Sequence, residues 1–246
     1  HYPQALLVFV AFMGALDVLA KQCAHQPTYL QLRHGTYWRQ ILIGVYGADE
    51  RTLIMRAEVT LTDAKSLPRW RRPEALLVLM AFASMMVFST WMAVAANFVV
   101  EVVGFNGSDQ GWMHTVREIP GFLAFLAIFI FILIKEQTFG VLSLFTLGLG
   151  SALTAEFPTF QGVLVVTFIS SLGFHYYETV AQSLQLQWLP KDKAPQMLGW
   201  IVSAGALGAL ISYSTIVMTW EAFDLDYRTV YWASGGVTMA IAVFSW

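Results

Sequence analysis

From Pro73 onward the chain is written in long apolar stretches. Ala75–Val100, Ile119–Ile134, Thr138–Ala155, Ala194–Trp220 and Thr229–Trp246 contain no Asp, Glu, Lys or Arg. A helix needs about 20 apolar residues to cross the hydrocarbon core of a bilayer, and these runs reach or approach that length. The pattern predicts an all-α, polytopic transmembrane bundle with six long spans, at 75–99, 112–134, 138–156, 162–188, 195–218 and 228–246. Helices are expected rather than barrel strands, because continuous apolar runs replace the in–out alternation of a barrel.

The first 73 residues follow another rhythm. Within residues 1–20, an apolar segment at 4–20 is interrupted by Asp17. It reads as a short first span or a membrane-edge helix, since a basic leader and a small-residue cleavage site are both missing. Residues 21–73 form a polar, basic segment. There Leu53, Met55, Ala57, Val59 and Leu61 alternate with Ile54, Arg56, Glu58, Thr60 and Thr62, a period of two that argues for a strand. Tyr37–Tyr46 reads either as its hairpin partner, turning at Gly47-Ala48-Asp49-Glu50, or as an interfacial helix. With His1 first and Trp246 inside an apolar run, the chain reads as processed or partial, so the span count is a lower bound.

Composition sharpens the picture. Only 12% of the 246 residues are charged, about half the roughly 25% of soluble domains. The single Cys23 excludes a disulfide scaffold, and a net charge of −2 argues against a nucleic-acid partner. The bilayer is the expected partner. Charges at the span ends also alternate. One side receives Arg69, Arg71, Arg72, Lys135, Lys191 and Lys193; the other receives only Arg117 and Arg228, among Glu101, Asp109, Glu118, Glu156, Glu221, Asp224 and Asp226. Excess Lys and Arg marks the cytoplasmic side. Residues 21–73 are therefore expected in the cytoplasm, and 74–246 in a multi-pass bundle. The Lys135-Glu136-Gln137 link is short enough to predict that the second and third spans are antiparallel neighbours.

The chemistry concentrates in the fourth span, Gly173-Phe174-His175-Tyr176-Tyr177-Glu178-Thr179-Val180-Ala181-Gln182. His175 and Glu178 are three apart and share a helix face, Gln182 continues it, and Tyr177 lies beside it. An ionisable group at a span's centre costs about 2.5–3.5 kcal/mol on insertion scales, so this face is expected to look inward. Two readings follow: a proton or cation relay with Glu178 as the titrating group, or an interhelical hydrogen-bond clamp. Asn97 on the first span is the candidate partner for such a polar path. His114, Arg117 and Glu118 form a second cluster, read as an outer ion pair or gate, or as a solvated helix end; Pro120-Gly121 beside it is a kink site. In the fifth span Gly199, Gly205 and Gly208, with Ala204 and Ala209, give small-xxx-small spacing for close helix approach. Neither a metal nor a cofactor is expected, because the His-x-x-Glu order is the reverse of the Glu-x-x-His of di-iron bundles. No nucleophile elbow or phosphate loop marks an enzyme. An intramembrane metalloenzyme is the remote third alternative.

These features together resemble one half of a major facilitator superfamily transporter. The resemblance covers about 74–246. It rests on six helices with basic ends, a very short second–third connection, a polar fourth helix, and Leu189-Pro-Lys-Asp-Lys-Ala-Pro-Gln-Met-Leu-Gly199 leading into the Gly-rich fifth helix. Where the family has a Gly followed by Asp-Arg and a basic cluster, this chain has Lys135-Glu136-Gln137-Thr138-Phe139-Gly140. The resemblance implies a secondary, proton- or cation-coupled transporter with a small-molecule substrate, acting with a second six-helix half. As a second half, 4–20 would be a sixth helix and 21–73 the cytoplasmic connector. It also implies that the first, second, fourth and fifth helices line the cavity, which aims His175 and Glu178 at substrate. The alternative is a non-transporting subunit or assembly partner of a larger membrane complex.

Overall fold

The computed structural model describes residues 68–127, 129–130, 134–190 and 192–246. The expected first span at 4–20 and the strand or hairpin at 37–62 lie outside the described residues. Residues Leu67–Trp246 form one compact unit, and the described part of it contains helices and no strand.

Among the described residues six long α-helices follow in order: α1 (Pro73–Phe98), α2 (Gly107–Phe122), α3 (Glu136–Ala152), α4 (Phe160–Trp188), α5 (Ala194–Thr219) and α6 (Tyr227–Phe244). Four elements are long and apolar enough to cross a membrane: α1 with its extension to Val103, α3 with its extension to Glu156, α4 and α5. An integral membrane protein is the class these four helices support. The other two expected spans differ in kind. α2 runs as α-helix for 16 residues and tightens into a 3-10 turn at Leu123–Leu126. α6 has 18 residues, and its first turns carry Arg228 and Thr229 among aromatic rings.

Local chemistry sets the ends. Pro73 opens α1 at a position where a missing N–H costs nothing. α1 widens into a π-helical turn at Val99–Val103 and stops at Gly104, whose φ of 81° suits glycine. α2 begins with a capping box: the Asn106 side chain accepts from the N–H groups of Ser108 and Asp109, and Asp109 accepts from the Asn106 N–H at 3.0 Å. The asparagine of the acceptor-like tripeptide Asn106-Gly107-Ser108 thus serves as a cap. Asp226 caps α6. Hydrogen bonds from Thr229 hold its carboxyl below the usual carboxylate range.

The helices pack in a definite pattern. α1 lies against α5, α3 against α4, α6 against α3 and α1, and α2 against α4. α2 and α3 each take α4 as their main partner. This plan maps onto itself when α1 is exchanged with α4, α2 with α5 and α3 with α6. The spacing agrees, since α1 and α4 start 87 residues apart (73 to 160), as do α2 and α5 (107 to 194). Gly148 of α3 and Gly235 of α6 have the same offset and face one another: a Cβ on Gly148 would sit 2.8 Å from the Gly235 carbonyl, and a Cβ on Gly235 would strike the Gly148 carbonyl in return. Helices three apart in an up–down bundle run in opposite directions, so this is an inverted three-plus-three repeat.

The two ends are tied differently. At one, Tyr227 donates to Glu101 at 2.5 Å, and Arg228 and Trp232 both donate to Glu156 at 2.6 Å. At the other, Ser183 and Gln187 donate to Glu136, Gln137 donates to the Ser245 carbonyl, and Trp70 rests on Phe244. The first is the acidic end. The second, with Arg69, Arg71, Arg72, Lys135 and Lys193, is the basic end.

Candidate functional site

The centre of the bundle is the seam where antiparallel α1 and α4 face one another. Two clefts open along it. Cleft A, about 190 Å³, lies toward the acidic end between α1, α2 and α4; Trp91, Arg117, Glu118, Thr167, Ser171 and His175 are among its walls. Cleft B, about 480 Å³, lies toward the basic end between α1, α4 and α5, with Ser84, Tyr177, Glu178, Gln182, Gln185 and Gly205 among its walls. The repeat relates them: Ser84 and Ser171, Trp91 and Glu178, and Glu118 and Gly205 are each 87 positions apart. Phe88 and Phe174, both on the wall of cleft A, stack with ring centroids 4.7 Å apart and an 18° tilt. One helical turn further along, Ser84 on α1 and Tyr177–Glu178 on α4 begin cleft B.

Arg117 and Glu118 form an ion pair on the wall of cleft A. The Ser171 hydroxyl donates to the Arg117 backbone carbonyl, one turn before Pro120 in α2. The Arg117 guanidinium sits over the Trp91 ring at 5.4 Å and donates from Nε and Nη2 to Glu118 Oε1 at 3.0 and 2.8 Å. Arg117 pairs with Glu118 and not with Glu101, which binds Tyr227. His114 is exposed, one turn nearer the acidic end, edge-on to Trp91 at 6.4 Å.

His175 and Glu178 separate. The His175 ring turns toward α2, where a Cβ on Gly121 would lie 3.1 Å from its Cε1, so glycine there makes room for the imidazole. Glu178, half-buried, faces cleft B. Three residues span about 300° of a helix turn, so the two side chains diverge by about 60°, and they line different clefts. His175 instead joins Arg117 and Glu118, which the sequence reading had kept as a separate cluster. Tyr177 is 3% exposed and packs in the core with Met80, Val87 and Leu147. Gln182 is exposed at cleft B.

Two expectations are corrected outright. Asn97 is exposed near the acidic end of α1 and lines neither cleft, because the inward stripe there is Val94, Ala95 and Phe98. Gly199 is exposed, and a Cβ on it would meet nothing within 4 Å, so it is not a packing glycine. Gly205 and Gly208 do pack: a Cβ on Gly205 would come within 2.9 Å of Met85, and one on Gly208 would strike the Phe82 carbonyl. One turn further, Thr90 and Ser212 hydroxyls bond across the same interface at 2.7 Å.

Residues that sequence reasoning missed are Trp91, Phe88, Phe174 and Thr167. For Phe88 and Trp91 the signal available was the 87-residue offset, which pairs them with His175 and Glu178. Among the described residues, no group of three or more His, Cys, Asp or Glu side chains is placed to hold a metal ion. No protein-family model matches the chain, and no curated protein and no solved structure matches it significantly.

Proposed function

We propose that the chain is a secondary transporter, or one six-helix half of one, which couples movement of a small molecule to protons or another cation. In this reading all six helices cross the bilayer, the basic end faces the cytoplasm by the positive-inside rule, and the plan is that of the major facilitator superfamily. The observation that carries it is the gathering of Arg117, Glu118, His175 and Glu178 around two clefts at mid-height of an apolar bundle. Ionisable groups at that depth are costly, and they are retained in membranes chiefly along ion and substrate pathways. The inverted repeat supports the same reading, because transporters built this way bind substrate near the midplane at the repeat interface. Here the repeat-equivalent helices α1 and α4 flank both clefts.

A non-transporting subunit of a larger membrane complex is the second reading. The broad apolar face that α5 leaves exposed, with Trp200, Val202, Leu210 and Val217, favours it, as does the replaced loop at Lys135–Gly140.

The test is reconstitution into liposomes enclosing a pH dye, followed by addition of a panel of sugars, amino acids, carboxylates and amines. Transport predicts a solute-driven pH change with at least one class. Glu178→Gln is expected to abolish it while thermal unfolding stays within a few degrees. Full coupling in that variant removes Glu178 from the mechanism. No pH change with any solute, with other chains co-purifying stoichiometrically, establishes the subunit reading.

A further inference from the structure

We propose that cleft B is a binding site for an organic cation, a primary ammonium carrying an apolar body, with Glu178 as the counter-charge. As a statement about substrate this rests on the transport reading above, whose solute it assigns to the amines; as a statement about a binding site it stands on cleft B.

The inverted repeat supplies the first argument. In cleft A the chain provides its own cation: the Arg117 guanidinium lies 5.4 Å over the Trp91 ring and donates to Glu118. The positions 87 residues further on are Glu178 for Trp91, Ala204 for Arg117 and Gly205 for Glu118. At the equivalent place in cleft B a carboxylate therefore replaces the ring on which the cation rests, and two small residues replace the ion pair. The attraction for a positive charge is strengthened, while the arginine that would answer it is missing. The volumes follow the same change, about 190 Å³ in cleft A and about 480 Å³ in cleft B.

The surroundings of Glu178 agree. Among the described residues it makes no hydrogen bond and no ion pair, and no Lys, Arg or His stands among those that line cleft B. A carboxylate in an apolar bundle is costly unless a positive charge or a proton meets it. A cationic ligand brings that charge.

The walls select an organic cation over a bare metal ion. Met85, Ala181, Ile201, Val202 and Ala206 line the same space and offer no side-chain oxygen. They give contact area to a hydrocarbon body instead. Among the described residues no three His, Cys, Asp or Glu side chains are grouped to hold a metal. Gln182, one turn beyond Glu178 on the same helix face, adds an amide oxygen that accepts N–H. The volume of about 480 Å³ falls within the ~300–1,000 Å³ of small-molecule sites, which are mostly apolar with a few placed polar groups.

Equilibrium dialysis of the full chain in nanodiscs near neutral pH, with empty nanodiscs as the blank, tests this. Phenethylammonium or the bulkier tryptammonium is expected to bind saturably, while neutral phenethyl alcohol and anionic hydrocinnamate bind about tenfold more weakly or worse. Glu178→Gln is expected to weaken ammonium binding about tenfold or more, the scale of one charge-assisted hydrogen bond. Ala204→Arg, which restores an arginine at the position equivalent to Arg117, is expected to weaken it as much. Ala204→Met, similar in length but uncharged, is expected to cost about threefold less. Saturable binding of neither ammonium, or equal binding of the alcohol, overturns the proposal in the wild-type chain and needs no variant to fold. Unchanged binding in folded Glu178→Gln, or equal loss with Arg and Met at position 204, overturns the assignment of the charge to cleft B. Solute-driven pH change with sugars or carboxylates but no ammonium binding leaves the transport reading standing while this one falls. Ammonium binding that depends on Glu178, with no solute-driven pH change in liposomes, keeps the site and removes the transport reading.

Discussion

Helices α1–α3 and α4–α6 are packed by one plan, yet they present opposite chemistry along the seam they share. In α1 the positions that face the clefts are Ser84, Phe88 and Trp91; their counterparts in α4 are Ser171, His175 and Glu178. The serines are common to both. The next two positions are aromatic in one repeat and ionisable in the other. Cleft geometry thus follows from helix packing, which the repeats share, while cleft chemistry follows from a few side chains, which they do not. A consequence is that stability and function should respond to different substitutions, and each prediction below tries to force the two apart.

The largest expected effect is at the centre of the repeat. Gly148 and Gly235 let two backbones approach so closely that a Cβ on either strikes the other's carbonyl. Gly148→Leu or Gly235→Leu is expected to cost about 3 kcal/mol or more, the upper range for overpacking, because backbone and not a flexible side chain must move. Gly199→Leu, on the exposed start of α5, is expected to stay within about 0.5 kcal/mol. Thermal unfolding in detergent measures both. Equal tolerance at Gly148 and Gly199 would mean that α3 and α6 do not meet as described.

Next in size is the pair on the α2 side of cleft A. Removing Glu118 alone leaves the half-buried Arg117 guanidinium without its carboxylate, and Glu118→Gln is expected to destabilise by about 1–3 kcal/mol. Replacing both, as Arg117→Met with Glu118→Leu, is expected to restore or raise stability, since apolar pairs of similar volume commonly equal or exceed a partly buried ion pair. Solute-driven pH change in the double variant separates the roles. Its loss in a protein of unimpaired stability assigns the pair to the clefts' function; its retention assigns the pair to packing.

Much of the fold was legible in the sequence, and the exceptions share a cause. Five expected segments agree with observed helices to within four residues at each end: 75–99 with α1, 138–156 with α3, 162–188 with α4, 195–218 with α5 and 228–246 with α6. Each is a predominantly apolar run bounded by polar or proline residues. α2 was placed five residues late, because its first turn, Gly107-Ser108-Asp109-Gln110-Gly111, carries only small and polar residues, which hydropathy reads as loop. His175 and Glu178 were legible as residues, but their assignment to two clefts was not. It depends on which helix closes each cleft, α2 beside His175 and α5 beside Glu178, which enters only through tertiary packing.

The smallest effect sharpens the comparison at its edge. Thr90 and Ser212 bond across the α1–α5 interface at 2.7 Å, both buried. The corresponding α4–α2 interface is closed differently, by Ser171 on the Arg117 carbonyl. A bond between two side chains can be dissected by a double-mutant cycle, whereas a bond to backbone cannot. Interhelical hydrogen bonds in membranes average about 0.6 kcal/mol, because the separated helices also find partners. Thr90→Val and Ser212→Ala are therefore expected to couple by about 0.6 kcal/mol. Thr90 also donates to the Met86 carbonyl at 3.0 Å, so part of its single-mutant cost lies within α1 and cancels in the cycle. A coupling near zero would mean that Gly205 and Gly208 hold α5 by close packing alone. A coupling above about 1.5 kcal/mol would place this contact in a drier, more rigid interface than the α2 side, and would make α5 the fixed wall of cleft B against which α4 moves.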